Sequence, residues 1–423
     1  MKFVKKGIAL LLIIVVGIGL TGCRNSDSVN ESGSAEDEIE LTLWILNNRI
    51  RGIEEVIGNF EEANPGITID LVNFDVDGIL QNLRISATSD TLPDLWFNWG
   101  GERAEFYTRN GLTYDLSDFA VANNWDEKFE ESALGLAELA GQIAGYPIVM
   151  NGMSIYYRID IFEELGLEVP TTLEEFEEVA TVLRDNGTIP FAMGGGGESH
   201  LSRLAGFLLE YYGGAENHDS LQSLETYWED NEVVIQALTK FQEWDDNDFF
   251  PEGYLTMDGS ELGILFYTGQ AAMMIDGQWA DRTIIEDEQD LNLYGTFPFG
   301  GTIRQPSYIE MIQFNANLSD EEVEAAVKFL NYLLSENNIR AYSGLVPSPR
   351  KDVDYLPEEQ INVPHIVEAM QKNGVFLPID QALPATVSDA ISVTLQGVAG
   401  GNLTPEEGAS AIQRAIEQYQ ADE

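Results

Sequence analysis

Apolar and polar positions alternate through Glu40-Leu41-Thr42-Leu43-Trp44-Ile45, the period-two pattern of a strand with one buried face. A helical stretch from about Gly52 to Ala63 follows and is stopped by Asn64-Pro65-Gly66. Ile67-Thr68-Ile69-Asp70-Leu71 then reads as a second strand. A helical span near Gly78–Ser89 leads to Leu92-Pro93-Asp94-Leu95-Trp96-Phe97, a short apolar strand opening into Asn98-Trp99-Gly100-Gly101. This βαβαβ opening predicts an α/β sheet, whose ligands gather beyond the C-terminal ends of the strands. Trp44 and the pair Asn98-Trp99 lie at such ends.

Three later helices carry start signals. Thr171-Thr172-Leu173-Glu174, Ser319-Asp320-Glu321-Glu322 and Thr404-Pro405-Glu406-Glu407 each place a Ser/Thr cap three residues before a Glu. Cap oxygen and carboxylate then satisfy backbone N–H groups reciprocally, so these glutamates are structural. Helical spacing continues through Val323, Ala326, Val327 and Leu330, and through Ala411, Ile412, Ala415 and Ile416.

At 423 residues, with 44% apolar positions, seven Trp and 16 Tyr, the chain has material for two lobes and is too apolar for global disorder. The balance of 22 Lys+Arg against 72 Asp+Glu, a formal charge of -50, excludes an electrostatic grip on phosphate backbones, so nucleic acid is not a partner. Acid spread this evenly is a surface property that favours solubility and repels itself. Salt screens that repulsion, so a saline or alkaline exterior is expected, and no cation site is read from the acid.

The lone Cys23 excludes a disulfide framework and a Cys-based zinc site. Lys2, Lys5 and Lys6 precede an apolar run from Gly7 to Leu20, which ends in Leu20-Thr21-Gly22-Cys23. That is the order of a secretory signal. The run is short of the roughly 20 residues a membrane-spanning helix needs. Its last four residues resemble the bacterial lipoprotein signal, which implies a signal peptide over 1–22 and lipid on Cys23. Residues 23–38, polar and rich in Ser, Asn, Asp and Glu, read as a flexible tether. Loss of 1–22 removes three Lys and no acid, leaving five Lys, at 128, 240, 328, 351 and 372.

A wider resemblance begins at Gly145. Gly145-Tyr146-Pro147-Ile148-Val149-Met150-Asn151-Gly152 through Phe162, then Leu165-Gly166-Leu167 and Pro170–Phe176, resemble the extracellular solute-binding proteins of family 1. These are the sugar-binding lipoproteins of bacterial ABC importers, of maltose-binding-protein-like type. Phe266-Tyr267-Thr268-Gly269-Gln270-Ala271-Ala272-Met273-Met274 with Gly277-Gln278-Trp279, and Asn331–Leu345 with Val346-Pro347-Ser348, resemble the family's later segments in the same order. The resemblance implies a two-lobed α/β fold of the periplasmic-binding-protein type II, with the ligand in a cleft between lobes. Three chain crossings are expected, near Met150, near Gly295–Pro298 and near Asn315. One lobe would then hold residues 39–148 plus 299–315, and the other 149–298 plus 316–423.

A sugar presents apolar C–H faces and a rim of hydroxyls, so its site needs aromatic plates with side chains that donate and accept. The family supplies contacts after the first and third strands, which here means Trp44, Asn47 and Asn48, and Asn98, Trp99 and Glu102. Trp44 serves either the cleft or the core, since alternation can turn it inward. Trp279 matches the family's sugar-stacking position. Beside it Asp276 accepts hydroxyls or ends a strand, and Asn151 matches the crossing. Tyr308 and Glu310 fall in the return segment. His200 and Glu198 follow the run Gly194–Gly197, which lacks the Lys and Ser/Thr of a nucleotide loop and reads as a cleft-edge loop.

An enzyme is disfavoured. There is no nucleophile-elbow sequence and no metal-ligand His spacing, and among 72 acids a glycosidase-type carboxylate pair carries no information. The same fold holding a glycerophosphodiester or a compatible solute is the remaining alternative; Arg49, Arg103 and Arg304 near the expected loops keep an anionic ligand open. No cofactor is expected. The expected partners are a carbohydrate, the permease subunits of an importer, and the membrane through Cys23, with the protein acting as a monomer.

Overall fold

The computed structural model describes residues 38–47, 50, 52–196, 200–341, 347–353 and 355–422. The signal segment, Cys23, the tether up to Asp37, Asn48, Arg49, Glu198 and Tyr342–Val346 lie outside the described residues.

The opening follows the hydrophobic pattern. Strand β1 (Ile39–Leu46) buries Leu41, Leu43 and Ile45 and pairs in parallel with β2 (Ile67–Phe74) along its whole length. The helix between them, Ile53–Ala63, buries Ile53, Val56, Ile57 and Phe60 on one face. The next helix runs Val76–Ser89, two residues earlier than its apolar spacing suggests, because the Asp75 carboxylate caps it by accepting from the Gly78 N–H at 2.7 Å. Strand β3 (Leu95–Trp99) joins β1 in parallel and carries Asn98 and Trp99 inside the strand.

A small hairpin, β4 (Glu138–Leu139) and β5 (Gln142–Ile143), precedes the longest strand, β6 (Tyr146–Arg158). With β7 (Ile189–Ala192), β8 (Ala271–Gly277), β9 (Tyr294–Phe297), β10 (Gln305–Phe314) and β11 (Val375–Phe376) it completes a nine-stranded sheet. The order is β2-β1-β3-β10-β6-β8-β7, with β9 on β6 and β11 on β10. The first part of β6, up to Gly152, pairs with β10; from Met153 onward it pairs with β8 and β9. One strand is thus shared by both halves of the molecule.

Each half has its own core. The first surrounds β1 and β3 and includes Phe60, Trp96, Trp125 and Tyr146. The second is built from the helices Leu173–Asp185, His200–Gln222, Glu232–Asp246, Ala385–Ala399 and Pro405–Asp422. Packing departs from the expected partition of 316–423. Helix Asp320–Leu333 buries Val323, Ala326, Val327 and Leu330 in the first core, and Phe329 meets Phe60 edge-on at 5.3 Å. Ile339 and Val353 also pack there, whereas Ile366 and Phe376 pack with the second half.

Ser319 and Glu322 form the expected capping box, and Thr404 and Glu407 exchange the same pair of bonds. In the Thr171-Thr172 pair the cap is Thr172, one residue later than expected, with Glu175 closing back onto Thr171.

Candidate functional site

Strand pairing decides which expected site residues meet. Trp99 stands opposite Glu310 on β10, and Tyr308 stands opposite Asn151 on β6. Paired residues share a sheet face, and alternate residues of one strand share it too. Trp99, Glu310, Tyr308 and Asn151 therefore lie on one face, at the junction of the two halves.

A buried polar chain runs through this group. Asn151, fully buried, donates through Nδ2 to Glu310 Oε1 at 3.1 Å and accepts from Gln278 Nε2 at 2.6 Å. The Gln278 Oε1 in turn accepts the Gly152 N–H at 2.7 Å. Gln278 thus ties the start of helix Trp279–Glu286 to the shared strand. It was overlooked in the sequence, although it sits inside the quoted Gly277-Gln278-Trp279 segment.

Trp279 opens that helix half-buried, with its ring 6.3 Å from that of Tyr308. The ring folds back over Gly277, where a Cβ would lie about 2.1 Å from its nearest atom. Only glycine leaves room for this ring at the end of β8. Asp276, also half-buried, accepts the Gly277 N–H at 2.9 Å. Burial pushes its carboxyl up, while the Arg203 charge and bonds from Gly277 and Trp279 pull the other way. Arg203, from helix His200–Gln222, lies 6.0 Å over the Trp279 ring. Sequence reasoning missed it because no local motif marks it. His200, one turn earlier, is buried with its Cε1 beside Gly259.

Other expected residues are placed elsewhere. Asn98 pairs with Met311 on the opposite face. Its Nδ2 donates to Gln313 Oε1 at 2.8 Å and its Oδ1 accepts the Trp99 N–H at 2.9 Å, so the amide is held inside the first half. Trp99 next to it, the last residue of β3, carries the Arg103 guanidinium 5.7 Å over its ring. Trp44 is in register with Trp96, one step out of phase with Trp99, and packs 5.0 Å from Phe74. Asn47 is exposed, its N–H bonded to the Phe74 carbonyl at 2.6 Å. Glu102 is held on the helix surface by Arg109, at 3.0 Å from Nη1.

Arg304 is held by its own carboxylate partners. Its Nε donates to Glu210 Oε1 at 2.7 Å and its Nη2 to Asp219 Oδ1 at 2.8 Å. Burial alone would raise the Glu210 carboxyl, but bonds from Arg304 and His218 outweigh it and hold the group down to about 2. Among the described residues no cluster of His, Cys, Asp and Glu could hold a metal ion, and no helix is long and apolar enough to cross a membrane.

Trp99 and Tyr308 are thus buried, and Trp279 half-buried, beside a chain of amides and a carboxylate at the joint between two α/β halves. Residues 47–338 match the family of bacterial extracellular solute-binding proteins, and this chain belongs to that family. The multiple sugar-binding protein of Streptococcus mutans is 20% identical over 362 residues, 82% of this chain and 83% of that protein. The maltodextrin-binding protein MdxE of Bacillus subtilis is 23% identical over 355 residues, 81% of this chain and 79% of its own. Among solved structures, a chitin oligosaccharide binding protein superimposes with a TM-score of 0.79 at 24% identity, over 91% of this chain and all of that one. The fold is the two-lobed one of these sugar-binding proteins.

Proposed function

We propose that this protein is the substrate-binding component of an ABC importer, capturing a mono- or oligosaccharide outside the cell and delivering it intact to a permease. The observation that carries this reading is the shared face where Trp99, Tyr308 and Trp279 surround the buried Glu310–Asn151–Gln278 chain. Aromatic faces suit sugar C–H surfaces, and amides and carboxylates at fixed positions suit hydroxyls. The sugar-binding names of the relatives support the same class of solute.

The lobes on this reading meet inside β6 at Gly152–Met153, between Ile303 and Tyr308, and between Val353 and Ile366, where packing passes from one core to the other. Closure about these crossings brings the lobes onto the sugar. Residues 1–22 act as a signal peptide, lipid on Cys23 anchors the monomeric receptor to the outer face of the membrane, and residues 23–38 tether it.

The test is a thermal-shift screen of residues 24–423 against oligosaccharides at low and high NaCl. A ligand of the folded state adds about 2.7 kcal/mol at a hundred times its dissociation constant. A rise in Tm with one sugar class, recovered uncut, supports the reading. A rise only with glycerophosphodiesters or quaternary ammonium solutes replaces it, and a cut sugar makes the protein an enzyme. Cys23→Ser is expected to release the protein from membranes with the sugar affinity of the soluble form unchanged; retention on the membrane would refute the anchor.

A further inference from the structure

Two polar contacts fasten the helix Trp279–Glu286, and both lead to the same glycine. The first is made by Gln278, the residue ahead of that helix. Its Oε1 accepts the Gly152 N–H at 2.7 Å, and its own N–H donates to the Gly152 carbonyl at 3.2 Å. Gly152 is where β6 passes from pairing with β10 to pairing with β8. The helix Val363–Asn373 rests on this glycine: a Cβ there would meet Ile366 Cγ2 at 2.9 Å, and the Met370 sulfur closer still. Ile366 and Met370 stand one helical turn apart, so a single face of the helix lies on the strand. At its far end the Gly374 carbonyl accepts the Gln305 N–H at 3.0 Å, at the start of β10.

The second contact is Asp281, fully buried in the first turn of the Trp279 helix. Its Oδ2 accepts the Asn362 N–H at 2.8 Å. Its Oδ1 accepts from Asn362 Nδ2 at 2.9 Å and from the Tyr156 hydroxyl at 3.2 Å. Asn362 immediately precedes the helix Val363–Asn373, and its own side chain makes no cap bond. A carboxylate from another element takes that place, and its charge suits a helix N-terminus. Burial pushes the Asp281 carboxyl up, while bonds from Asn362, Tyr156 and Val363 pull the other way. The contacts close into a ring: Gly152, Gln278, the Trp279 helix, Asp281, Asn362, and the helix that returns to Gly152.

Apolar packing does not fix this ring by itself. Ala280 and Ile284 share one cluster with Ile366 and Met370, and apolar burial is non-directional. A buried carboxylate costs free energy that apolar residues of similar volume avoid. What the carboxylate adds is direction, because donors held at set angles admit one setting of the two helices. Two residues before it stands Trp279, and a tilt of its helix is carried by the ring to β6 and, through Gly374, to β10.

We propose that Asp281 is a positioning residue for ligand binding: it locks the helix that carries Trp279 to the helix that covers Gly152, and so holds the indole at one setting against the strand shared by both halves. This rests on the carbohydrate reading above and adds to it a residue that acts only through Trp279.

The test begins with fluorine NMR of residues 24–423 grown with fluorotryptophan, the Trp279 line being assigned by its loss in Trp279→Ala. Asp281→Asn keeps the shape but turns an amide N–H toward a group that needs an acceptor. It is expected to move or broaden the Trp279 line well below Tm, with the lines of Trp228 and Trp244 in the second core left in place. Asn362→Ala leaves the carboxylate intact and is expected to move the same line, which keeps the test open if Asp281→Asn does not fold. Calorimetry with maltotriose, chitotriose and xylotriose gives the functional readout. Asp281→Asn is expected to weaken whichever sugar binds roughly tenfold, the size of a hydrogen bond to a charged group. In the Trp279→Ala background the same change should cost about twofold at most, since coupled residues are not additive. A role in stability alone lowers Tm and leaves both the Trp279 line and the affinity where they were. An unmoved line in both variants, or an equal loss of affinity in both backgrounds, overturns the positioning role and leaves the carbohydrate reading standing. If none of the three sugars titrates, the carbohydrate reading falls, and the Trp279 line still decides whether Asp281 sets the indole.

Discussion

Gly277 and Trp279 show how one residue type licenses another. The indole occupies the space a Cβ on residue 277 would need, so the Gly-x-Trp spacing is a geometric requirement rather than a composition bias. Trp279→Ala is expected to cost roughly 1–3 kcal/mol of sugar affinity, the range for burial of a large apolar side chain; calorimetry that finds the same affinity would take Trp279 out of the site. Glu210 gives a pH-dependent counterpart. Its folded pKa, about 2, lies below its ordinary value of 4.5. Its contribution is therefore complete above about 4.5 and is lost as pH falls toward 2. The Tm difference between the parent protein and Glu210→Gln should be largest at neutral pH and shrink over that interval; a constant difference would refute the charged contact with Arg304.

At the scale of elements, the sequence made the repeating features legible. The alternation of β1 and the capping boxes at Ser319 and Thr404 are local and survive in the fold. The Thr171-Thr172 cap slipped by one residue because two adjacent threonines offer the same chemistry and only the turn geometry selects between them. Helix Asp320–Leu333 is amphipathic as its spacing predicts, but it packs in the first core instead of with the residues expected beside it. An apolar stripe states which face is buried, never against which core, and Phe60 more than 250 residues away supplies the answer. The site divides in the same way. Trp99, Asn151, Trp279, Tyr308 and Glu310 fall together because they lie on or beside paired strands, whereas Arg203 and Gln278 enter through tertiary contacts that no local pattern announces. Ser319→Ala should lower stability by about 1 kcal/mol, as loss of a helix cap does. Chemical denaturation showing no change would mean that packing against the first core alone holds the helix end.

For the whole molecule, a formal charge of -50 sets the long-range energetics. Many of the acids lie on exposed helix faces, and 22 Lys and Arg cannot match 72 Asp and Glu one to one. Self-repulsion then opposes compactness, and salt screens it over a Debye length of about 10 Å at 0.1 M. The Tm of residues 24–423 should rise from low to molar NaCl; a flat or falling profile would remove salt adaptation as the reason for the composition.

The single ribbon of β6 that serves both lobes also limits how such a receptor can vary in length. Side chains alternate across it, with Asn151 toward the site and Met150 and Gly152 toward the helices behind. Gain or loss of one residue anywhere in Pro147–Tyr157 would turn every later side chain over and set one lobe out of phase with the other. Evolution can lengthen the loops that ring the cleft and so change the cargo, but this stretch must keep its count, and the ruler between the lobes stays fixed while its graduations are rewritten.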